Sequence, residues 1–168
     1  MNPQKFEDLV KREIEKGNKP FFVNGTSGTT VLGSFDNHYA LNEICRKYGL
    51  WHHVDACWGG FLAFSKKHRH LMKGVELVDS LSFNPHKGLG VPQQCSMLLV
   101  NNKKEMLRRA NTSGASYLFH EAEYTKHDIS DKTLSCGRNA DSLKLWMTLK
   151  KHGVKGLARY ADDAMDKM

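Results

Sequence analysis

Three short apolar runs punctuate the first hundred residues, and each hands over to a polar or turn-forming residue at its carboxyl end. Pro20-Phe21-Phe22-Val23 leads into Asn24, Leu50 to Val54 delivers Asp55, and Ser80 to Phe83 brings up the turn that carries Lys87. Between the first two runs, Leu41, Ile44, Cys45 and Tyr48 recur at helical spacing until Gly49 ends the pattern. Strand, helix, strand in that order predicts a parallel sheet wrapped by helices, because parallel neighbours need a crossover long enough to hold a helix. An α/β fold of this kind gathers its strand-end residues in one crevice.

The remaining elements follow from the same reading. Phe6, Leu9, Val10 and Ile14 predict a helix over residues 4–16 that Gly17 stops. The glycines and hydroxyls from Gly25 to Thr30 predict a loop, and Asp36 is expected near the N-cap of the following helix. Residues 60–74 read as a loop with a short helix, in which Lys66-Lys67-His68-Arg69-His70 is solvated. Gln94 to Val100 is a further strand, antiparallel to its neighbour because few residues separate them. A helix is expected over Lys103 to Ala110, irregular chain over 111–136, a helix over Ala140 to His152 and another from Val154.

A chain of 168 residues is long enough for one domain with a buried core. Its 40% hydrophobic and 26% charged residues exclude a disordered chain. With no apolar run of membrane-spanning length and no basic-then-apolar leader, a cytoplasmic protein without a membrane partner is expected. Cys45, Cys57, Cys95 and Cys136 form no CxxC pair, so they read as reduced thiols, and no metal site is expected. The formal charge of +7 comes from 25 Lys and Arg against 18 Asp and Glu. Those basic residues are scattered in pairs such as Lys103-Lys104 and Lys150-Lys151, without interleaved aromatics. This reads as solvated surface, and no nucleic-acid partner is expected.

Asn84-Pro85-His86-Lys87 carries the chemistry. A lysine held at a strand end by a proline, Gly88 and Gly90 is poorly placed for ordinary surface duty. An amine desolvated there can lose its proton near neutral pH and attack a carbonyl as a Schiff-base nucleophile. Alone, the tetrapeptide could equally be a loop with a solvated lysine. Asp55, in His53-Val54-Asp55-Ala56, changes that reading, since an acid ending one strand and a lysine following another can face one crevice. Pyridoxal phosphate needs such a pair, a lysine for its aldehyde and a carboxylate for its pyridinium nitrogen.

The segments Asn24-Gly25-Thr26-Ser27-Gly28-Thr29-Thr30, His53-Val54-Asp55-Ala56 and Asn84-Pro85-His86-Lys87 occur in the order and spacing of the pyridoxal-dependent group II amino-acid decarboxylases. Ala115-Ser116-Tyr117-Leu118-Phe119 and Cys136-Gly137-Arg138 resemble the glutamate and cysteine-sulfinate decarboxylase branch. The resemblance runs from about residue 1 to 168. It implies a fold-type I, aspartate aminotransferase-like large domain, pyridoxal phosphate as cofactor and a homodimer. The implied reaction is α-decarboxylation of a small acidic L-amino acid: glutamate, cysteine sulfinate or aspartate. An aromatic-L-amino-acid decarboxylase is the near alternative, and a catalytically inactive remnant or interaction module is the alternative from another class.

By that resemblance Lys87 carries the Schiff base, Asp55 holds the ring nitrogen, Asn84 reaches toward the phosphate and His86 neighbours the Schiff base. Thr29 offers a hydroxyl to the ring substituents, with a capping or turn role as its alternative. Cys57 stands where the family usually has an alanine packed beneath the ring, and Gly88 and Pro92 stand where the branch more often has bulky apolar residues. Tyr124 falls where a mobile loop carries a tyrosine into the partner subunit's active site to protonate the carbanion carbon. Arg138 reads as a structural anchor for the base of that loop, or as a substrate anchor. Complete family members are several times longer, with an N-terminal dimerisation segment, a phosphate loop and a ring-stacking histidine upstream and a small domain downstream. Residues 1–168 therefore read as an incomplete part of the cofactor-binding large domain.

Overall fold

The structure, a computed structural model, describes residues 1–101, 105–111, 132–135, 137 and 139–167. The chain divides into two compact units, Met1–Leu99 with Asp141–Met168, and Val100–Ala140. The first carries β1 (Phe22–Thr26), β2 (Trp51–Asp55) and β3 (Ser80–Phe83), and β4 (Met97–Val100) completes a four-stranded sheet in the order β1-β2-β3-β4. Strands β1, β2 and β3 are parallel, with Thr26 opposite Asp55 and Asp55 opposite Ser82. Adding β4 makes the sheet mixed, as the short connection from β3 predicts.

Helix α1 (Pro3–Glu15) begins where the Asn2 side chain accepts the Lys5 N–H at 3.1 Å, with Pro3 in the first turn, where a missing N–H costs nothing. Its buried Val10 packs with Val23, Cys45 and Leu50, flanked by Phe6 and Tyr48. Helix α2 (His38–Tyr48) is the crossover between β1 and β2 and ends at Gly49 in the left-handed region, as expected. Its N-cap is Asn37, which accepts from the Ala40 N–H at 3.1 Å, rather than Asp36. Asp36 instead accepts the Thr26 N–H at 2.8 Å, tying the loop back onto the end of β1. Gly25 and Thr26 also depart from expectation by belonging to β1, since the ladder to β2 continues through Gly25 opposite Val54.

The main core joins Val54, Ala56, Phe61, Leu62, Val78, Phe83, Leu89 and Val91 to Leu157 and Ala161 of α4 (Asp141–Asp166). Helix α4 breaks at Gly153, whose φ of 61° and ψ of 174° are not helical, so its sequence forms the two helical runs expected on either side. The cluster from Lys66 to His70 is less free than its composition suggests. Lys67 Nζ lies 2.7 Å from Asp166 Oδ2, and His68 Nε2 lies 3.4 Å from Asp166 Oδ1. Cys45 and Cys95 are buried free thiols and Cys57 is half-buried. No helix among the described residues is long and apolar enough to cross a membrane. In the second unit, α3 (Met106–Asn111) occupies part of the helix expected over Lys103 to Ala110. Residues 102–104, Ala115 to Phe119, Tyr124, Cys136 and Arg138 lie outside the described residues.

A pair of histidines is buried between α2 and the sheet. His38 and His52 have no solvent exposure, and their ring centroids are 5.9 Å apart. His38 Nε2 hydrogen-bonds Ser27 Oγ at 2.7 Å, while His38 Nδ1 and both ring nitrogens of His52 find no partner among the described residues. Gly25 makes this possible, because a Cβ there would lie 3.1 Å from His38 Nδ1 and 3.3 Å from His52 Nε2. Burial, then the neighbouring His38, pushes the His52 pKa down to about 4, with Asp79 pulling the other way and Arg46 and His53 adding to the fall. Burial also lowers that of His38, against the attraction of Asp36.

The unfolded chain therefore takes up these protons first. Stability is complete above the ordinary histidine value of 6.5 and is lost as the pH falls toward about 4. For His52 alone the loss at about pH 5 comes to about 2 kcal/mol. Urea unfolding at pH 7.5 and pH 5 measures it, and His52→Leu should flatten the dependence.

The departure at Gly88 has a packing cause. A Cβ at this position would lie 2.1 Å from Phe61 Cδ1 and 2.5 Å from Cγ, so the Phe61 ring fills the space beside the turn. Phe61 is only 5% exposed and has little room to yield. Gly88→Ala should cost about 1–3 kcal/mol by overpacking. Combined with Phe61→Ala, the double variant should be more stable than the sum of the two losses by about 1 kcal/mol or more, read from chemical denaturation.

Candidate active site

Because β1, β2 and β3 are parallel, their carboxyl ends meet along one edge of the sheet. Asp55 is the last residue of β2, between Thr26 and Ser82. Its backbone is held from both sides: Ser27 N–H donates to the Asp55 carbonyl at 2.8 Å, and Ala56 N–H donates to the Ser82 carbonyl at 2.9 Å. The Asp55 side chain uses one oxygen for its anchors. Oδ1 accepts the Cys57 N–H at 2.9 Å and the Ser82 hydroxyl at 3.4 Å. Among the described residues, no hydrogen bond ends on Oδ2. Burial opposes ionisation of Asp55. The Cys57 N–H and thiol, the positive charge of Lys87 and the Ser82 hydroxyl outweigh it and hold the carboxyl below its ordinary value.

Lys87 is carried by a tight turn after β3, closed by the Lys87 N–H donating to the Asn84 carbonyl at 2.9 Å. Pro85 is buried, and its carbonyl accepts from Val91 N–H at 3.2 Å, so both ends of the turn are tied down. Lys87 Nζ lies 5.4 Å from the centre of the Trp58 ring, a cation–π contact between the half-buried lysine and a residue that follows Asp55 closely in the chain. His86 Nδ1 sits 2.7 Å from the Cys95 carbonyl oxygen and 3.1 Å from the Cys95 nitrogen. Donating to the first and accepting from the second exclude each other, yet either role fixes the ring against the chain leading into β4.

The residues singled out from sequence therefore divide. Asp55, Cys57 and Lys87 come together, linked by hydrogen bonds and by the field of Lys87 at Asp55. Asn84 and His86 flank the lysine on its turn. Thr29 is engaged in its own loop: its Oγ1 accepts the Ser34 N–H at 2.9 Å and its carbonyl accepts the Gly33 N–H at 2.9 Å. That is the turn role open from sequence. Ser82 and Trp58 were not singled out. The signal for Ser82 is its register opposite Asp55, which no single stretch of sequence contains.

Comparison with known proteins gives this arrangement its context. The family model described as the pyridoxal-dependent decarboxylase conserved domain matches residues 1–167. Over 166 residues the chain is 44% identical to cysteine sulfinic acid decarboxylase of Mus musculus, covering 98% of this chain and 34% of that protein. It is 46% identical over 165 residues to L-aspartate decarboxylase dtxS4 of Metarhizium robertsii, covering 98% of this chain and 33% of that protein. The crystal structure of mouse CSAD matches with a TM-score of 0.90 at 42% identity, over 99% of this chain and 34% of that one. The expected fold class, fold-type I, is borne out by these structural relatives. The chain spans about a third of the length of the curated relatives it matches. With the family model covering nearly every residue, the chain belongs to the pyridoxal-dependent decarboxylase family.

Proposed function

We propose that this chain contributes the pyridoxal phosphate site of an enzyme that removes the α-carboxylate of a small acidic L-amino acid. One observation carries the reading. The Asp55 carboxylate ends a parallel strand with Oδ1 anchored and Oδ2 without a partner among the described residues, under the field of Lys87. An unpartnered carboxylate oxygen beside a lysine fits the two reactive ends of pyridoxal phosphate, the ring nitrogen and the aldehyde.

In this reading Lys87 is the amine that would hold the cofactor through its aldehyde. Asp55 Oδ2 holds the proton on the ring nitrogen. Asn84 lies toward the phosphate, and His86, fixed by Cys95, lines the side of the lysine. Cys57 would pack beneath the ring, and Thr29 braces the neighbouring loop. When bound, pyridoxal phosphate supplies the conjugated system that accepts the electron pair left by departing CO₂. Tyr124 would return a proton to the same carbon in a cytoplasmic homodimer. The names of two relatives, cysteine sulfinic acid decarboxylase and L-aspartate decarboxylase, support an acidic substrate.

Two measurements test this. The enzyme that contains this segment is incubated with pyridoxal phosphate, reduced with borohydride and digested, and mass spectrometry should find the pyridoxyl group on Lys87 and lose that specific label in Lys87→Ala. Labelling spread over surface lysines in both proteins would refute the assignment. In the enzyme that contains this segment, CO₂ release should be seen with cysteine sulfinate, aspartate or glutamate and not with aromatic amino acids. Asp55→Asn should lower it about 10²–10³-fold, the usual loss on removing one group aimed at developing charge.

A further inference from the structure

We infer that Ser82 and the Cys57 thiol together fix the orientation in which the Asp55 carboxylate is presented to the cofactor, with Ser82 as a positioning residue and the thiol supporting it. The inference rests on the role proposed for Asp55 and adds two residues that act on it.

Ser82 is the β3 residue in register with Asp55, so their side chains stand beside each other at the end of the sheet. The Ser82 hydroxyl donates to Asp55 Oδ1 at 3.4 Å, and the Cys57 thiol donates to Ser82 Oγ, also at 3.4 Å. The backbone N–H of Cys57 reaches the same Oδ1 at 2.9 Å. Two donors therefore converge on one oxygen of the carboxylate, and a third donor stands behind the hydroxyl. Rotating the carboxylate out of this plane would break the short backbone bond, so one oxygen stays engaged with these donors and the other stays without a partner among the described residues.

The thiol matters because of how weak the middle link is. A hydroxyl–carboxylate distance of 3.4 Å lies beyond the ordinary 2.5–3.0 Å range, and a serine proton is free to rotate toward another acceptor. A donor aimed at Ser82 Oγ occupies its lone pair and leaves the hydroxyl proton to point at Asp55. Chains of this kind strengthen each bond in them. Burial pushes the Cys57 thiol up, the Ser82 hydroxyl pulls it down and the nearby Asp55 pushes it up again, with a net rise that keeps the thiol protonated and a donor near neutral pH. An alanine at position 57 would keep the backbone N–H and lose the link to Ser82.

The test needs no cofactor, which separates it from the labelling of Lys87. The titration of the Asp55 carboxyl is followed by carbon-13 NMR in the cofactor-free chain. Ser82→Ala should raise its midpoint by about half a unit to one unit. Cys57→Ala should raise it by less, Cys57→Ser should restore it, and Cys57→Ala with Ser82→Ala should raise it by less than the two single effects added together. Thermal unfolding of each variant establishes that the fold is retained, and the near-isosteric Cys57→Ser covers a collapse of the alanine variant. An unchanged titration in Ser82→Ala, equal effects of Cys57→Ala and Cys57→Ser, or additive effects of the two alanines would each overturn this role for the two residues. Failure of pyridoxal phosphate to label Lys87 with these titration shifts intact would instead refute the cofactor assignment.

Discussion

The parallel register across β1, β2 and β3 is the constraint from which the site follows. Thr26, Asp55 and Ser82 form one row because the ladder pairs them residue by residue. A slip of β2 by one position would turn its side chains to the other face, taking His52 and Val54 out of the core and the Asp55 carboxylate into it. The hydrophobic effect on the covered face therefore sets the position of the acid on the open edge. The site is an outcome of the core's pattern, at no separate cost.

Among the described residues, incompletely bonded polar atoms lie both under α2 and at the end of β2, and their surroundings give them opposite meanings. His38 and His52 are sealed under α2, where a bare ring nitrogen destabilises the fold and drives each ring toward its neutral form. The bare oxygen of Asp55 lies at the strand end, beside a lysine and held by a backbone amide. There an unmet acceptor is a place for a ligand's N–H.

The backing of the lysine turn rests on matched volumes. Phe61 stands against Gly88, and neither makes sense alone, because an ordinary side chain after the lysine would collide with the ring. What looked like an irregularity after Lys87 is one half of a packing pair whose other half lies in a short helical turn far away in sequence. This accounts for a departure from the family pattern without disturbing the turn that carries the amine.

The strands, helix α2, the break at Gly153 and the place of Asp55 at a strand end were legible in the residues, because apolar periodicity, a glycine cap and strand-end polar groups are local signals. The family resemblance pointed to the same residues through motif order. Other features were invisible until the chain was folded. Gly25 and Thr26 read as loop by composition, yet the ladder to Val54 and Asp55 holds them in β1. Asp36 and Asn37 are both able caps, and the choice fell to Asn37 because Thr26 N–H engages Asp36. Thr29 kept its hydroxyl for Ser34. Ser82 joined Asp55 through register alone, and Phe61 met Gly88 through close packing. Residue types and their spacing determined which groups were available and roughly where each strand would end. Which of them touch was decided by tertiary structure, since contact depends on pairing and volume between segments that no local pattern records.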